Sequence, residues 1–246
     1  MNFTEKEKKA KEYICLALDT DDLDEIEEVC SELSEYVGYI KVHAAFLSHG
    51  PKVISIIKKH NCKVFLDLKF HDIPNTVAHY ARIATMHGVD MFNLHICGGK
   101  EMILAAINSA EEEAERDCSA RPKIIGVSVL TSLDNGSMNQ VGIPGNVNEQ
   151  VLRLGKLAAE TGVDGIICSA ADIKHIKDKL PKNFFYVTPG IRPVGVNAHD
   201  QKRVMTPGNA VKSGSSLLVI GRAILGTEDK KKAALEIVKE IASVMD

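Results

Sequence analysis

No apolar stretch in the 246-residue sequence approaches the roughly 20 residues that a membrane-crossing helix needs. The opening segment, 1–11, is a lysine-rich and glutamate-containing helix pattern rather than a signal peptide, so a cytoplasmic location is expected. None of the six cysteines (Cys15, Cys30, Cys62, Cys97, Cys118, Cys168) stands in a C-x-x-C pair, and several fall inside apolar runs. They read as reduced thiols acting as small hydrophobes. The nine histidines show no H-x-x-x-H spacing, so no metal site is expected, and His71 and His95 read as hydrogen-bonded rim or core residues. A formal charge of −3 gives no general attraction for nucleic acid or an anionic membrane surface, which points to a small-molecule partner held in a local pocket. Nor does any low-complexity linker or composition break divide the chain, and residues 1–246 read as one domain.

What the sequence does contain is a regular alternation. Short β-rich runs at 14–18, 39–42, 64–68, 91–94, 124–129, 165–168, 185–187 and 217–220 are separated by amphipathic helical patterns at 23–35, 51–60, 76–87, 100–116, 147–161, 172–180, 207–213 and 230–244. Pro51 and Pro207 suit first helical turns, and Gly88, Gly162 and Gly214 stand where a helix must reverse into a strand. Eight strand–helix units predict an α/β fold, a (β/α)8 TIM barrel preceded by a short N-terminal helix. The acidic run 111–115 reads as the solvated end of a helix, and Met86, Met91 and Met102 read as core filler.

Charge interrupts the apolar runs at particular places. Asp67 and Lys69 are two residues apart in an extended segment, where i and i+2 share a face, so carboxylate and ammonium should pair. Lys41 sits among Tyr39, Ile40 and Val42, Asp19 follows Leu18, and Asp72 lies just past the third strand in a loop stiffened by Pro74. In a barrel, the carboxyl ends of the strands form the face on which active sites are built, so these five charges of alternating sign can meet in one small volume. A rim salt bridge capping the sheet is the plainer alternative for Asp67 and Lys69 alone. Drying such a cluster costs several kcal/mol per ion, which a protein built only for stability would avoid by using Val or Leu.

The last two strands carry the other half of a site. Thr188-Pro189-Gly190-Ile191-Arg192 opens a long connection to about residue 205, the length of a lid, with Arg192 and Gln201 as candidate anion ligands. Gly221-Arg222 follows the eighth strand. Loops after strands seven and eight are the habitual phosphate site of this architecture; Gly221 admits a close backbone N–H and Arg222 supplies a fixed two-pronged charge. A surface arginine after an ordinary strand is the competing reading for Arg222.

Leu18-Asp19, Ile40-Lys41-Val42, Asp67-Leu68-Lys69-Phe70-His71-Asp72-Ile73-Pro74-Asn75-Thr76, Leu130-Thr131-Ser132, Thr188-Pro189-Gly190-Ile191-Arg192, Asp200-Gln201-Lys202-Arg203 and Ile220-Gly221-Arg222 together resemble the orotidine 5'-phosphate decarboxylase family. The likeness runs in the family's order from about residue 14 to the last helix, and the decapeptide from Asp67 is its most specific part. The resemblance implies cofactor-free loss of carbon dioxide from orotidine 5'-phosphate to give uridine 5'-phosphate, by a barrel homodimer with sites at the subunit interface. It makes Lys69 the proton donor and puts Asp67 beside the departing group. Asp72 and Thr76 enter from the neighbouring subunit, with Ile73 and Pro74 among the substrate contacts. Asp19 and Lys41 would hold ribose hydroxyls and orient the network, Thr131 would contact the pyrimidine, and Gln201, Gly221 and Arg222 would take the phosphate with Arg192 nearby. The chain departs from the family after Val42, where His43 replaces the common glycine and is expected to point outward.

Two other readings compete. A sugar-phosphate decarboxylase or synthase of the same barrel group shares an Asp-x-Lys-x-x-Asp pattern but uses Mg²⁺, against which stands the ammonium of Lys41. A nucleotide-binding barrel without catalysis has little use for a charge cluster away from the phosphate.

Overall fold

In the computed structural model, which describes residues 3–193 and 205–245, eight parallel strands close into a barrel in sequence order. They are β1 (Ile14–Ala17), β2 (Tyr39–Val42), β3 (Lys63–Phe70), β4 (Met91–His95), β5 (Lys123–Val127), β6 (Gly165–Ile167), β7 (Phe185–Thr188) and β8 (Leu217–Ile220). Every expected strand forms. The helices are α1 (Glu5–Lys11), α2 (Leu23–Leu33), α3 (Ala44–His49), α4 (Lys52–Lys59), α5 (Pro74–Met86), α6 (Lys100–Arg116), α7 (Asn135–Gln140), α8 (Val147–Thr161), α9 (Ala170–Ile176), α10 (Pro207–Ser213), α11 (Arg222–Leu225) and α12 (Lys230–Ala242). Among the described residues no helix is long and apolar enough to cross a membrane.

Alternation along the strands sorts the core into two layers. Cys15, Tyr39, Phe65, Met91, Ile125, Val187 and Leu217 form one cluster, the floor of the barrel interior. Their strand neighbours Leu16, Ile40, Val64, Leu66 and Phe92 belong to the larger cluster between strands and helices. Two residues on from Tyr39, Phe65 and Met91 come Lys41, Asp67 and Asn93, so the period of two lifts these polar side chains one layer above the apolar floor, toward the carboxyl ends.

The helix ends follow the sequence cues. Thr4 and Glu7 form a capping box on α1, Asp22 caps α2, Pro51 precedes α4 and Pro207 opens α10. Gly162 and Gly214 end α8 and α10 in the left-handed region. The leading helix α1 packs against α12, and Phe3 meets Tyr36 edge-to-face.

Three expectations fail. Met86 is 44% exposed, near the half-exposed Tyr80 and Ile83 on α5, whereas Met91 and Met102 are core residues as expected. The acidic run is not wholly solvated: Glu113 is buried and paired with Arg116 on its own helix and Arg82 on α5, because α5 and α6 pack face to face there. The rings of His71 and His95 lie tilted against each other, centroids 5.3 Å apart, and among the described residues neither ring makes a hydrogen bond. The six cysteines are free, with four buried and Cys97 and Cys118 exposed.

Candidate active site

A cleft of about 240 Å³ opens at the carboxyl ends of the strands. Asp19, Lys41, Asp67, Lys69, Thr131, Arg192, Gly221 and Arg222 all line it, as do the apolar Phe65, Val127, Ile167, Val187 and Val219 beneath.

Asp67 is the hub. Its Oδ1 accepts from Lys69 Nζ at 2.7 Å and from Asn93 Nδ2 at 2.6 Å, while its Oδ2 lies 3.1 Å from Lys41 Nζ. With both oxygens held, the carboxylate cannot rotate. Burial alone would raise its pKa, but the charges of Lys41 and Lys69 and the hydrogen bonds from Lys69 and Asn93 outweigh that and hold it below the usual carboxylate value. Lys41 is buried on β2; Lys69 keeps about a third of its side chain exposed, toward the cleft.

Asp67 and Lys69 meet as the sequence predicts, though not by strand alternation. Leu66 and Phe70 of β3 pair with Phe92 and Leu94 of β4, so four residues of one strand span two of the other. The surplus is absorbed where Lys69 takes a positive φ of 51°. This bulge turns the Lys69 side chain back on Asp67, and the Lys69 N–H, removed from the ladder, donates to Asn93 Oδ1 at 2.7 Å. Asn93, fully buried, therefore braces both members of the pair. It was missed in the sequence, although its signal was the one that marked Lys41: a polar residue inside an apolar strand.

Asp19 stands at the rim, its Oδ1 3.9 Å from Lys41 Nζ and 3.2 Å from His43 Nε2. His43 thus turns inward to a rim carboxylate instead of pointing outward, because it also caps α3, which fixes its backbone beside β1. On the opposite wall Arg192 is buried, its Nη1 donating to the Ile191 carbonyl at 2.8 Å, and Arg222 begins α11. A methyl group on Gly221 would come 3.2 Å from the Ala17 carbonyl oxygen, so glycine also lets β8 close against β1. Gln201 lies outside the described residues, as does most of the long connection, whose ends are joined by a bridge between Ile191 and Met205.

Asp72, Ile73, Pro74 and Thr76 are not brought to this cleft. Asp72 and Ile73 are exposed in the turn before α5, Asp72 Oδ1 accepts from the Ile73 N–H at 2.6 Å, and among the described residues Asp72 forms no ion pair. The five-charge cluster expected from the sequence is a four-charge cluster within one chain, because the turn after β3 leads Asp72 away from the barrel axis. Asp72 instead lines a separate groove of about 520 Å³ with Phe46, Leu47, Leu68, Phe70, Tyr80 and Ile83. Lys69 borders both cavities.

An ammonium group fixed against a buried carboxylate, above an apolar floor and facing two arginines, suits proton transfer to a flat, anionic ligand. Fold and cleft together are those of a (β/α)8-barrel enzyme. A family model described as "Orotidine 5'-phosphate decarboxylase / HUMPS family" matches residues 12–237. A Moorella thermoacetica protein named orotidine 5'-phosphate decarboxylase is 46% identical over 237 residues, 96% of this chain and 94% of that protein. One of the same name from Trichlorobacter lovleyi is 44% identical over 96% of this chain and 97% of its own length. The crystal structure of orotidine 5'-phosphate decarboxylase from Lactobacillus acidophilus superposes with a TM-score of 0.81 at 34% identity, covering 94% of this chain and 99% of that one. The chain belongs to the orotidine 5'-phosphate decarboxylase / HUMPS family.

Proposed function

We propose that this chain converts orotidine 5'-phosphate to uridine 5'-phosphate and carbon dioxide, the last step of pyrimidine synthesis, without a cofactor and with Lys69 as the acid. The observation that carries the reading is the Lys69 ammonium held 2.7 Å from Asp67 above an apolar floor. When the carbon–carbon bond breaks, its electron pair stays on the ring carbon. A fixed positive charge in a poorly hydrated cleft stabilises that state, and one Lys69 N–H then supplies the proton of the new C–H bond. Asp67 beside the departing carboxylate adds ground-state stress as a secondary contribution. Asp19 and Lys41 take the ribose hydroxyls, Thr131 the pyrimidine, and Arg222, Gly221 and Gln201 the phosphate, with Arg192 near. The phosphate does not react, yet its binding aligns the ring and excludes water, so loss of Arg222 should raise KM more than it lowers kcat.

We further propose a homodimer in which Asp72, Ile73, Pro74 and Thr76 complete the partner's site. In support, Leu47, Tyr80 and Ile83 expose 76%, 39% and 36% of their surface in the groove that Lys69 shares with the cleft, and Ile73, the neighbour of Asp72 in sequence, exposes 66%. Six free thiols favour a cytoplasmic setting.

The test is loss of orotidine 5'-phosphate absorbance with purified protein in the presence of EDTA. Chelator-insensitive turnover is expected. A requirement for Mg²⁺, or turnover only of a sugar phosphate, would favour the Mg²⁺-dependent branch of the barrel group. Against that branch, ammonium groups already occupy both oxygens of Asp67, which leaves no open face for a cation.

A further inference from the structure

The loop between β1 and α2 carries Asp19, and its residues are held from different sides. Next to the strand, the Leu18 N–H donates to the Lys41 carbonyl at 3.0 Å, which continues the pairing of β1 with β2. Next to the helix, Thr20 Oγ1 donates to Glu25 Oε2 at 2.7 Å and Asp22 caps α2, so these two residues are tied to α2 and move with it. Asp21 is held from further away. Its partners belong to α3, 27 and 28 residues along the chain: Ser48 Oγ donates to Asp21 Oδ2 at 3.2 Å, and His49 Nε2 donates to the Asp21 carbonyl oxygen at 2.6 Å. A carbonyl can only accept, so the His49 ring carries a proton on Nε2.

The helix that supplies these bonds is itself fixed. α3 starts two residues after β2 ends, Ala45 is buried, Phe46 packs on the core and α4 lies against it. A six-residue helix has little stability of its own, so this packing sets its position. The strand it follows is the one that carries Lys41. The path from Lys41 through α3 to Asp21 therefore closes on itself, tying the loop of Asp19 to the strand whose ammonium stands 3.9 Å from Asp19 Oδ1. Direct attraction between the two is a weaker constraint, because the Asp19 side chain is 60% exposed and Lys41 lies nearer to Asp67, at 3.1 Å.

We infer that Ser48 and His49 are positioning residues: through Asp21 they hold the β1–α2 loop against α3, and so fix the spacing at which Asp19 and Lys41 meet the hydroxyl groups of the bound sugar. This rests on the proposed assignment of Asp19 and Lys41 to the ribose.

α3 also borders the groove through Phe46 and Leu47, so damage to the helix has a second route to the cleft, by way of the subunit contact. The two routes differ in what they alter. Asp72, proposed to enter from that side, serves the chemistry, and its loss lowers kcat. A displaced Asp19 weakens a contact to an unreacting part of the substrate and raises KM.

Ser48→Ala/His49→Ala removes both bonds and places a strong helix former at two exposed positions, whereas His49→Gln puts an amide N–H where Nε2–H stood. Steady-state kinetics with orotidine 5'-phosphate, thermal melts and sedimentation velocity are measured for both. The double variant should melt close to wild type, keep the wild-type assembly state, raise KM at least about threefold and change kcat less than about twofold, as for loss of hydrogen bonds that act on binding alone. His49→Gln should keep KM within about twofold of wild type. In an Asp19→Ala background the double change should add nothing further. A smaller rise in KM, a rise that persists without Asp19, a His49→Gln enzyme as impaired as the double variant, or a changed assembly state with a fall in kcat overturns the inference. An Asp19→Ala enzyme with wild-type KM refutes the ribose assignment and the inference with it. Wild-type protein without turnover refutes the decarboxylase reading itself, and is seen before any variant is made.

Discussion

Lys69 is held in a conformation that its own backbone resists. A non-glycine residue at φ of 51° near the carboxyl end of a strand costs of order 1 kcal/mol, tolerated here because the turn delivers the ammonium to Asp67 and the N–H to Asn93. Lys69→Gly should therefore be more stable than Lys69→Ala by about 1 kcal/mol in urea unfolding, although both are inactive. Equal stabilities would show that the backbone there is unstrained. The paired carboxylate carries a pH signature. Because the folded pKa of Asp67 is lowered, its contribution to stability is present above the unfolded value of about 3.9 and is lost as pH falls through the still lower folded value. The stability gap between wild type and Asp67→Asn should thus be widest near neutral pH and narrow below about pH 4, as read by denaturant unfolding across that range. A gap independent of pH would mean the carboxylate is not stabilised by its neighbours. The proximity of Asp67 and Lys69 was legible in the sequence because their spacing limits how far apart they can fall. The bulge that joins them was not, since it depends on a partner strand whose register no local pattern records.

Among the elements, β4 does more than close the barrel. Asn93 donates to Asp67 and accepts from the Lys69 backbone, so Asn93→Ala leaves a buried N–H unpaired and Asp67 Oδ1 held by Lys69 alone. A loss of about 1–3 kcal/mol in unfolding free energy is expected, together with a fall in kcat larger than any rise in KM, because the ammonium loses its alignment rather than the ligand its contacts. A variant with wild-type kcat would remove β4 from the account of the site. The eight strands were legible because buried parallel strands are near-continuous apolar runs. The helices α3, α7 and α11 were not, since four to six residues are too few to show a period of 3.6. That is why the inward turn of His43, a consequence of capping α3, could not be foreseen.

Taken as a whole molecule, one chain supplies a charged cleft and, beside it, an apolar groove edged by Asp72 that shares Lys69 as a wall. If the sites are completed across a two-fold axis, Lys69→Ala and Asp72→Asn subunits, each inactive alone, should on mixing form hybrids with one intact site. Random exchange would then restore about a quarter of wild-type activity. No recovery despite exchange demonstrated by native mass spectrometry would confine each site to its own chain. The barrel itself followed from eight alternations of strand and helix, whereas the outward path of Asp72 depends on how a turn leaves the barrel, which spacing does not encode. The most direct measurement is the kcat of Lys69→Ala on orotidine 5'-phosphate, with uridine 5'-phosphate binding measured alongside. A fall of at least about a thousandfold with binding retained is predicted, since a positioned acid and a fixed charge are both lost. A variant that keeps more than about a tenth of wild-type kcat would contradict the assignment of Lys69 as the proton donor.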